Sequence, residues 1–176
     1  AVLRHEAALY FKNPLGYLYL IIFTALAAAL TFTIGDFFEI NQASLSYSFF
    51  KWHPFLYAIL VPAIGMRIWT SEIQNGTMEI LFSLPVPIPL VVLGKYLAAA
   101  ILVLTGLALT FPVILTVGYL GEPDYGEIGA GYLGSSLIAL SFLAICIYFS
   151  AALKSQVASY IISATVCLLT VLLGSS

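Results

Sequence analysis

Long apolar runs separated by short polar interruptions dominate the chain: Leu15–Ile34, Pro54–Trp69, Tyr96–Tyr119, Tyr132–Leu153 and Val157–Leu173. A hydrocarbon core about 30 Å thick takes roughly 20 apolar residues as helix, with about 17 to 25 tolerated. Four of the runs reach that length. Pro54–Trp69 is short, and spans only if Phe49 and Phe50 extend it or its end is buried in protein. Backbone groups in lipid must be paired within their own segment, and the ten-residue alternation of a membrane β-barrel is absent. The pattern predicts an all-α polytopic transmembrane helical bundle of about five spans.

The interruptions carry the local signals. Ala1–Asn13 (residues 1–13) predicts an interfacial helix, with Leu3, Ala7, Tyr10 and Phe11 at helical spacing and Arg4, His5 and Lys12 on the wetter side. Pro14 pushes Asn13 out of the α region and ends it. Tyr17 and Tyr19 follow as interfacial aromatics. Gly35–Lys51 reads as an outer loop with room for a short helix on the membrane, and Gly121–Gly131, rich in Gly with Pro123, as an irregular outer loop.

The longest polar interruption, Arg67 to Pro85, joins runs two and three. Ser71 followed by Gln74 has the form of a capping box that starts a short helix. Gly76 ends it in the left-handed conformation. Thr77 then caps a second turn, Met78–Phe82, with Glu79 near its positive end. Pro85, Pro87 and Pro89 make a stiff, non-helical connection, and Lys95 stands at the foot of the third span.

Composition narrows the class. The chain is 62% hydrophobic and 8% charged, with mean hydropathy +1.07. Soluble domains are about 25% charged, so a soluble globular protein is excluded. Net charge is −2, and no basic stripe with interleaved aromatics is present, so no nucleic-acid partner is expected. Arg4, Lys12, Arg67, Lys95 and Lys154 fall on the N-terminal side of the spans, and Lys51 alone falls opposite. The positive-inside rule then puts the N-terminus in the cytoplasm, and five spans put the C-terminus outside. The start at Ala1 without Met reads as a piece of a longer protein. A signal peptide cleaved near Ala27 and Ala29 fits less well, because the apolar run continues to Ile34.

Candidate chemistry is sparse. Cys146 and Cys167 lie inside apolar runs and read as small hydrophobes, with no disulfide or metal framework. The acids Glu122, Asp124 and Glu127 lack the regular ligand pattern of a calcium loop and read as solvated. His5 and His53 are the only histidines, and His53, beside Trp52 and Pro54, is expected at the outer interface. No H-E-x-x-H, G-x-S-x-G or phosphate-binding G-x-x-x-x-G-K-[ST] occurs, so no catalytic, cofactor or metal residue is assigned. The spans hold no ionisable residue near a midplane, which argues against proton-coupled transport. Ala98–Ala100, Gly106 and Gly134-Ser135-Ser136 permit close helix approach, and ordinary bundle packing explains them equally well.

The order Met66-Arg67, Glu72, Gly76-Thr77, Glu79, Leu81, Pro85-Val86 and Leu93-Gly94-Lys95 resembles the permease subunits of type-2 ABC exporters, in their gliding-motility-like branch. Arg4-His5-Glu6, Asn13-Pro14-Leu15-Gly16-Tyr17, Phe50 through Pro62, Asp124, Tyr132-Leu133-Gly134, Ser150 and Leu153-Lys154-Ser155-Gln156-Val157-Ala158 resemble further parts of that pattern. Two departures stand out. Ser71, Ile73 and Gln74 replace the basic residues and second acid usual in this segment, so docking here leans less on charge. The family also has at least six spans against the five seen here, so the resemblance implies a truncated transmembrane domain over residues 1–176.

The resemblance implies a non-enzymatic permease in the cytoplasmic membrane of a prokaryote. It would pair with a second permease unit, in a homo- or heterodimer, and be driven by a cytoplasmic ATP-binding cassette subunit, with membrane lipid around it. It implies a coupling segment over residues 70–84, with Glu72, Gly76, Thr77 and Glu79 docking the ATP-binding subunit and Arg67 and Lys95 as span-end anchors. Snorkelling at the interface explains Arg67 and Lys95 equally well. The alternative for the whole chain is a non-transporting membrane anchor or assembly subunit.

Overall fold

The computed structural model describes residues 14–31, 49–78, 87–120 and 124–174. Among them every regular element is helical: α1 (Pro14–Ala29), a 3-10 turn (Phe50–Trp52), α2 (His53–Gly65), α3 (Arg67–Asn75), α4 (Ile88–Ala108), α5 (Phe111–Leu120), α6 (Tyr125–Ala152) and α7 (Gln156–Gly174). Four helical stretches among these residues are long and apolar enough to cross a membrane: Phe50–Asn75, Ile88–Thr116, Tyr125–Ala152 and Gln156–Gly174. The first apolar run is represented by α1, 16 residues long, and the two residues after it. The interfacial helix expected over residues 1–13 and most of the loop expected over Gly35–Lys51 lie outside the described residues.

The second run is not short. Phe50 extends it at one end, and at the other α3 follows α2 with only Met66 between them. Met66 keeps right-handed helical angles (φ −56°, ψ −26°), so the chain continues as a rod with a break rather than leaving the helix. Pro62, which has no N–H to donate, lies one turn before that break. The whole stretch is 26 residues, or about 39 Å at 1.5 Å per residue, against about 30 Å of hydrocarbon. One end must therefore project or the rod must tilt.

This continuity overturns the capping-box reading. Ser71 lies inside α3, and its hydroxyl donates to the carbonyl of Arg67 at 2.5 Å instead of capping a new helix. Met66 keeps helical angles across the break and Arg67–Thr70 are already helical, so no new start is needed at Ser71. Gly76 does end it, at φ +67°. The amide of Gly76 donates to Ile73 O at 3.4 Å and that of Thr77 to Glu72 O at 3.1 Å, the paired bonds of a Schellman stop.

Two further boundaries differ from expectation. The third span begins at Ile88, so Pro89 sits inside the first helical turn, where a missing N–H is harmless, and Pro87 is the extended residue before it. Lys95 is consequently about two turns into α4 rather than at its foot. The helix breaks at Leu109–Thr110, before Pro112, and resumes as α5. Likewise, much of the expected outer loop Gly121–Gly131 is helix. Asp124 caps α6, its carboxylate accepting from Gly126 N at 2.8 Å and Glu127 N at 3.4 Å, with Glu127 in the favourable first turn.

The long helix α6 is the hub, packing on α2, α7, α4 and α3, while α1 covers α4 and α2. The core between them is strongly aromatic. Phe23 stacks on Tyr57 with centroids 5.3 Å apart, and Phe49 meets His53 edge-on at 4.3 Å. Small residues set the close approaches: Ala98, Ala99 and Ala100 are buried, and a Cβ at Gly106 would lie 3.1 Å from the Tyr19 ring. Gly134, by contrast, has open space around it. Hydroxyls of Thr24, Thr105, Ser141, Ser163 and Thr165 donate to the carbonyl four residues back, satisfying these polar groups inside their own helices.

Candidate functional site

The polar residues of α3 gather at one end of the bundle, together with Lys95 and the α6–α7 turn. The helix is strongly two-sided. Ile68, Trp69 and Thr70 are buried, whereas Gln74, Asn75, Gly76 and Thr77 are exposed. Such a helix holds one face on the bundle and offers the other, with its tip, to whatever lies outside.

Glu72 does not face outward. Its Oε1 accepts from Lys95 Nζ at 2.6 Å, with side-chain exposures of 22% and 6%, so the pair is largely withdrawn from solvent. Lys95 Nζ also lies 5.4 Å from the centroid of the Trp69 ring. A buried ammonium in a membrane helix requires a counter-charge, and Glu72 supplies it across the gap between α3 and α4. The second oxygen, Oε2, is buried and without a hydrogen-bond partner among the described residues.

Two more ties hold α3. Gln74 Nε2 donates to the carbonyl of Lys154 at 3.1 Å, and Gln156 Nε2 donates to Gln74 Oε1 at 3.1 Å, strapping the tip to the α6–α7 turn. At the root, Ser150 of α6 places its hydroxyl in the α2–α3 break. It accepts from Trp69 N at 3.0 Å and Thr70 N at 3.4 Å and donates to Met66 O at 3.2 Å. α3 is thus tied to α4, to α6 and to the turn leading into α7.

Of the residues singled out in the sequence, Arg67, Glu72 and Lys95 come together, lining one cavity with Ser71. Gly76 and Thr77 form the exposed tip, where the Thr77 hydroxyl donates back to Glu72 O at 3.4 Å. Glu79 lies outside the described residues, as does most of the turn that Thr77 was expected to cap. The roles of Gln74, Trp69 and Ser150 escaped the sequence reading, because their partners are about 80 residues away. Their polarity inside or beside apolar runs was the available signal.

His53 is almost fully buried at the opposite end of α2. Its Nδ1 is 2.8 Å from the Ser135 hydroxyl, which also bonds Tyr57 OH at 3.0 Å. Phe49 and Phe50 of the turn before α2 cover the ring, because Phe50 extends the rod above it. Among the described residues, no group of three His, Cys, Asp or Glu side chains is placed to hold a metal ion.

The sequence pattern of the ABC-2 family transporter proteins matches residues 15–175. This chain belongs to that family. It is accordingly a multi-pass membrane protein and a permease component of ABC-type transport. No curated protein and no solved structure matches the chain.

Proposed function

We propose that this permease unit is moved by a cytoplasmic ATP-binding cassette subunit that docks on the tip of α3, and that two permease units pair to export substrate across a prokaryotic cytoplasmic membrane. The observation that carries the reading is the set of ties from α3 to the rest of the bundle: Glu72 to Lys95, Gln74 to the α6–α7 turn, and the α2–α3 break to Ser150. Exposed Gly76 and Thr77, with Glu79 following, offer the docking surface. Glu72, Arg67 and Lys95 act behind it as internal struts. Nucleotide binding in the partner shifts an inward–outward equilibrium only insofar as the partner grips one arrangement of α3 more tightly than the other. The N-terminus on the cytoplasmic side and membership in the gliding-motility-like branch belong to the same proposal.

The test is co-reconstitution with the ATP-binding subunit. Thr77→Cys should cross-link to that subunit, and Gln74→Ala, which cuts the strap but leaves the tip, should keep ATPase activity while lowering transport severalfold. Labelling of Gln74→Cys from the extracytoplasmic face alone would reject the orientation and with it the docking. A stable complex that never includes an ATP-binding subunit would favour the membrane-anchor reading.

A further inference from the structure

Between α1, the α2–α3 rod and α4 lies a cavity of about 300 Å³. Ligand sites begin at about this size. Its walls are divided by chemistry. One part is apolar, built by Leu15, Leu18 and Ile22 of α1 with Leu60 and Ile64 of α2. Leu15, Leu18 and Ile22 are substantially exposed, so the apolar part opens on the surface that faces lipid.

The other part is polar, built by Arg67, Ser71, Glu72 and Lys95. Lys95 and Glu72 neutralise each other, which leaves the charge of Arg67 in excess; among the described residues it has no carboxylate partner. Two buried polar atoms on cavity-lining residues also lack hydrogen-bond partners among the described residues: Glu72 Oε2 and the hydroxyl of Tyr19. Buried polar atoms are rarely left unpaired, so this wall is suited to a ligand that brings both an anion and hydrogen-bond donors.

We infer that the cavity binds one anionic amphiphile from the surrounding leaflet, with an acyl chain along α1 and α2, its phosphate on Arg67 and a headgroup hydroxyl donating to Glu72. The division into apolar and cationic ends at one lipid-facing opening selects an amphiphile over a free anion or a neutral hydrocarbon. The binding is a property of this chain without nucleotide or partner, so its failure leaves the coupling proposal standing, and the reverse holds too.

Native mass spectrometry of the full chain in detergent tests it, with phosphatidylglycerol, phosphatidylcholine of the same acyl chains, and inorganic phosphate as probes. One equivalent of phosphatidylglycerol should be retained, about tenfold more tightly than phosphatidylcholine, the ratio expected for one charge-assisted bond. Arg67→Gln should remove that preference. Ala63→Phe, which fills the cavity from α2, should abolish retention of both lipids; Leu18→Trp does the same from α1 if the first variant misfolds. Equal retention of the two lipids, an unchanged preference in Arg67→Gln, or displacement of phosphatidylglycerol by millimolar inorganic phosphate would overturn the inference. So would a cavity already occupied by residues 1–13, seen as lipid binding that appears only when they are removed.

Discussion

Gly65 of α2 and Cys146 of α6 lie so close that a Cβ at position 65 would be 2.3 Å from the Cys146 Cβ. Cys146 is fully buried there, and one helical turn further along α6 Ser150 enters the α2–α3 break. This close contact between the two helices lies immediately before the α2–α3 break. A glycine at 65 lets α6 approach the backbone, and the approach brings Ser150 within reach of Trp69 and Thr70.

Gly65→Ala should lower stability by about 1–3 kcal/mol, the usual range for overpacking. Cys146→Ala in the same chain should give no relief, because the clashing Cβ remains. Cys146→Gly should recover part of the loss, reduced by the roughly 1 kcal/mol that a glycine costs inside a helix. Thermal unfolding of the four proteins in detergent reads the order directly.

Ser150→Ala removes the acceptor for two backbone amides and the donor to Met66. Stability should fall by about 1–3 kcal/mol, the range for buried groups left unsatisfied. Hydrogen exchange should accelerate at Trp69 and Thr70, while amides in α7 change little. Ser150→Thr, which keeps a hydroxyl, should retain more protection than the alanine variant.

Lys95→Met and Glu72→Leu should each destabilise strongly, Lys95→Met by about 3–5 kcal/mol because it leaves a buried carboxylate without its counter-charge. Lys95→Met combined with Glu72→Leu should lose much less than the sum of the single changes, since an apolar pair needs no counter-charge. A double-mutant cycle on unfolding in detergent measures the coupling. Additivity would mean that the pair contributes nothing as a pair.

Gly76 has a left-handed backbone and open space around it. Gly76→Ala should therefore cost about 1–2 kcal/mol from the local backbone conformation alone, with no clash against other parts of the protein. Gly76→Asn should cost less, because asparagine tolerates this conformation. A larger loss in either variant would show that the tip is packed against something.

Much of the architecture was legible in the sequence, since apolar runs of span length force helices in lipid whatever they pack against. The stop at Gly76 was legible as well, because a positive φ after a helix is a local matter. The start of α3 was not. Ser71 and Gln74 have the spacing of a cap, but a cap forms only where the preceding residues leave the helix, and Arg67–Thr70 continue it, with the amides of Trp69 and Thr70 held from α6 by Ser150. Asp124 as the cap of α6 was hidden in a glycine-rich stretch that reads as loop. Part of that stretch is fixed by packing, because a Cβ at Gly131 would fall 2.4 Å from the Phe50 ring.

By itself the sequence determined that this is a helical membrane protein, where its apolar runs lie, and which residues resemble an ABC-2 permease; these follow from hydropathy and short-range pattern. The inward turn of Glu72 toward Lys95, the burial of His53 against Ser135, and the grip of Ser150 on the α2–α3 break were decided by tertiary structure alone. Each joins residues more than 20 positions apart, and a single helix leaves the azimuth and partner of a polar side chain open until its neighbours are packed around it.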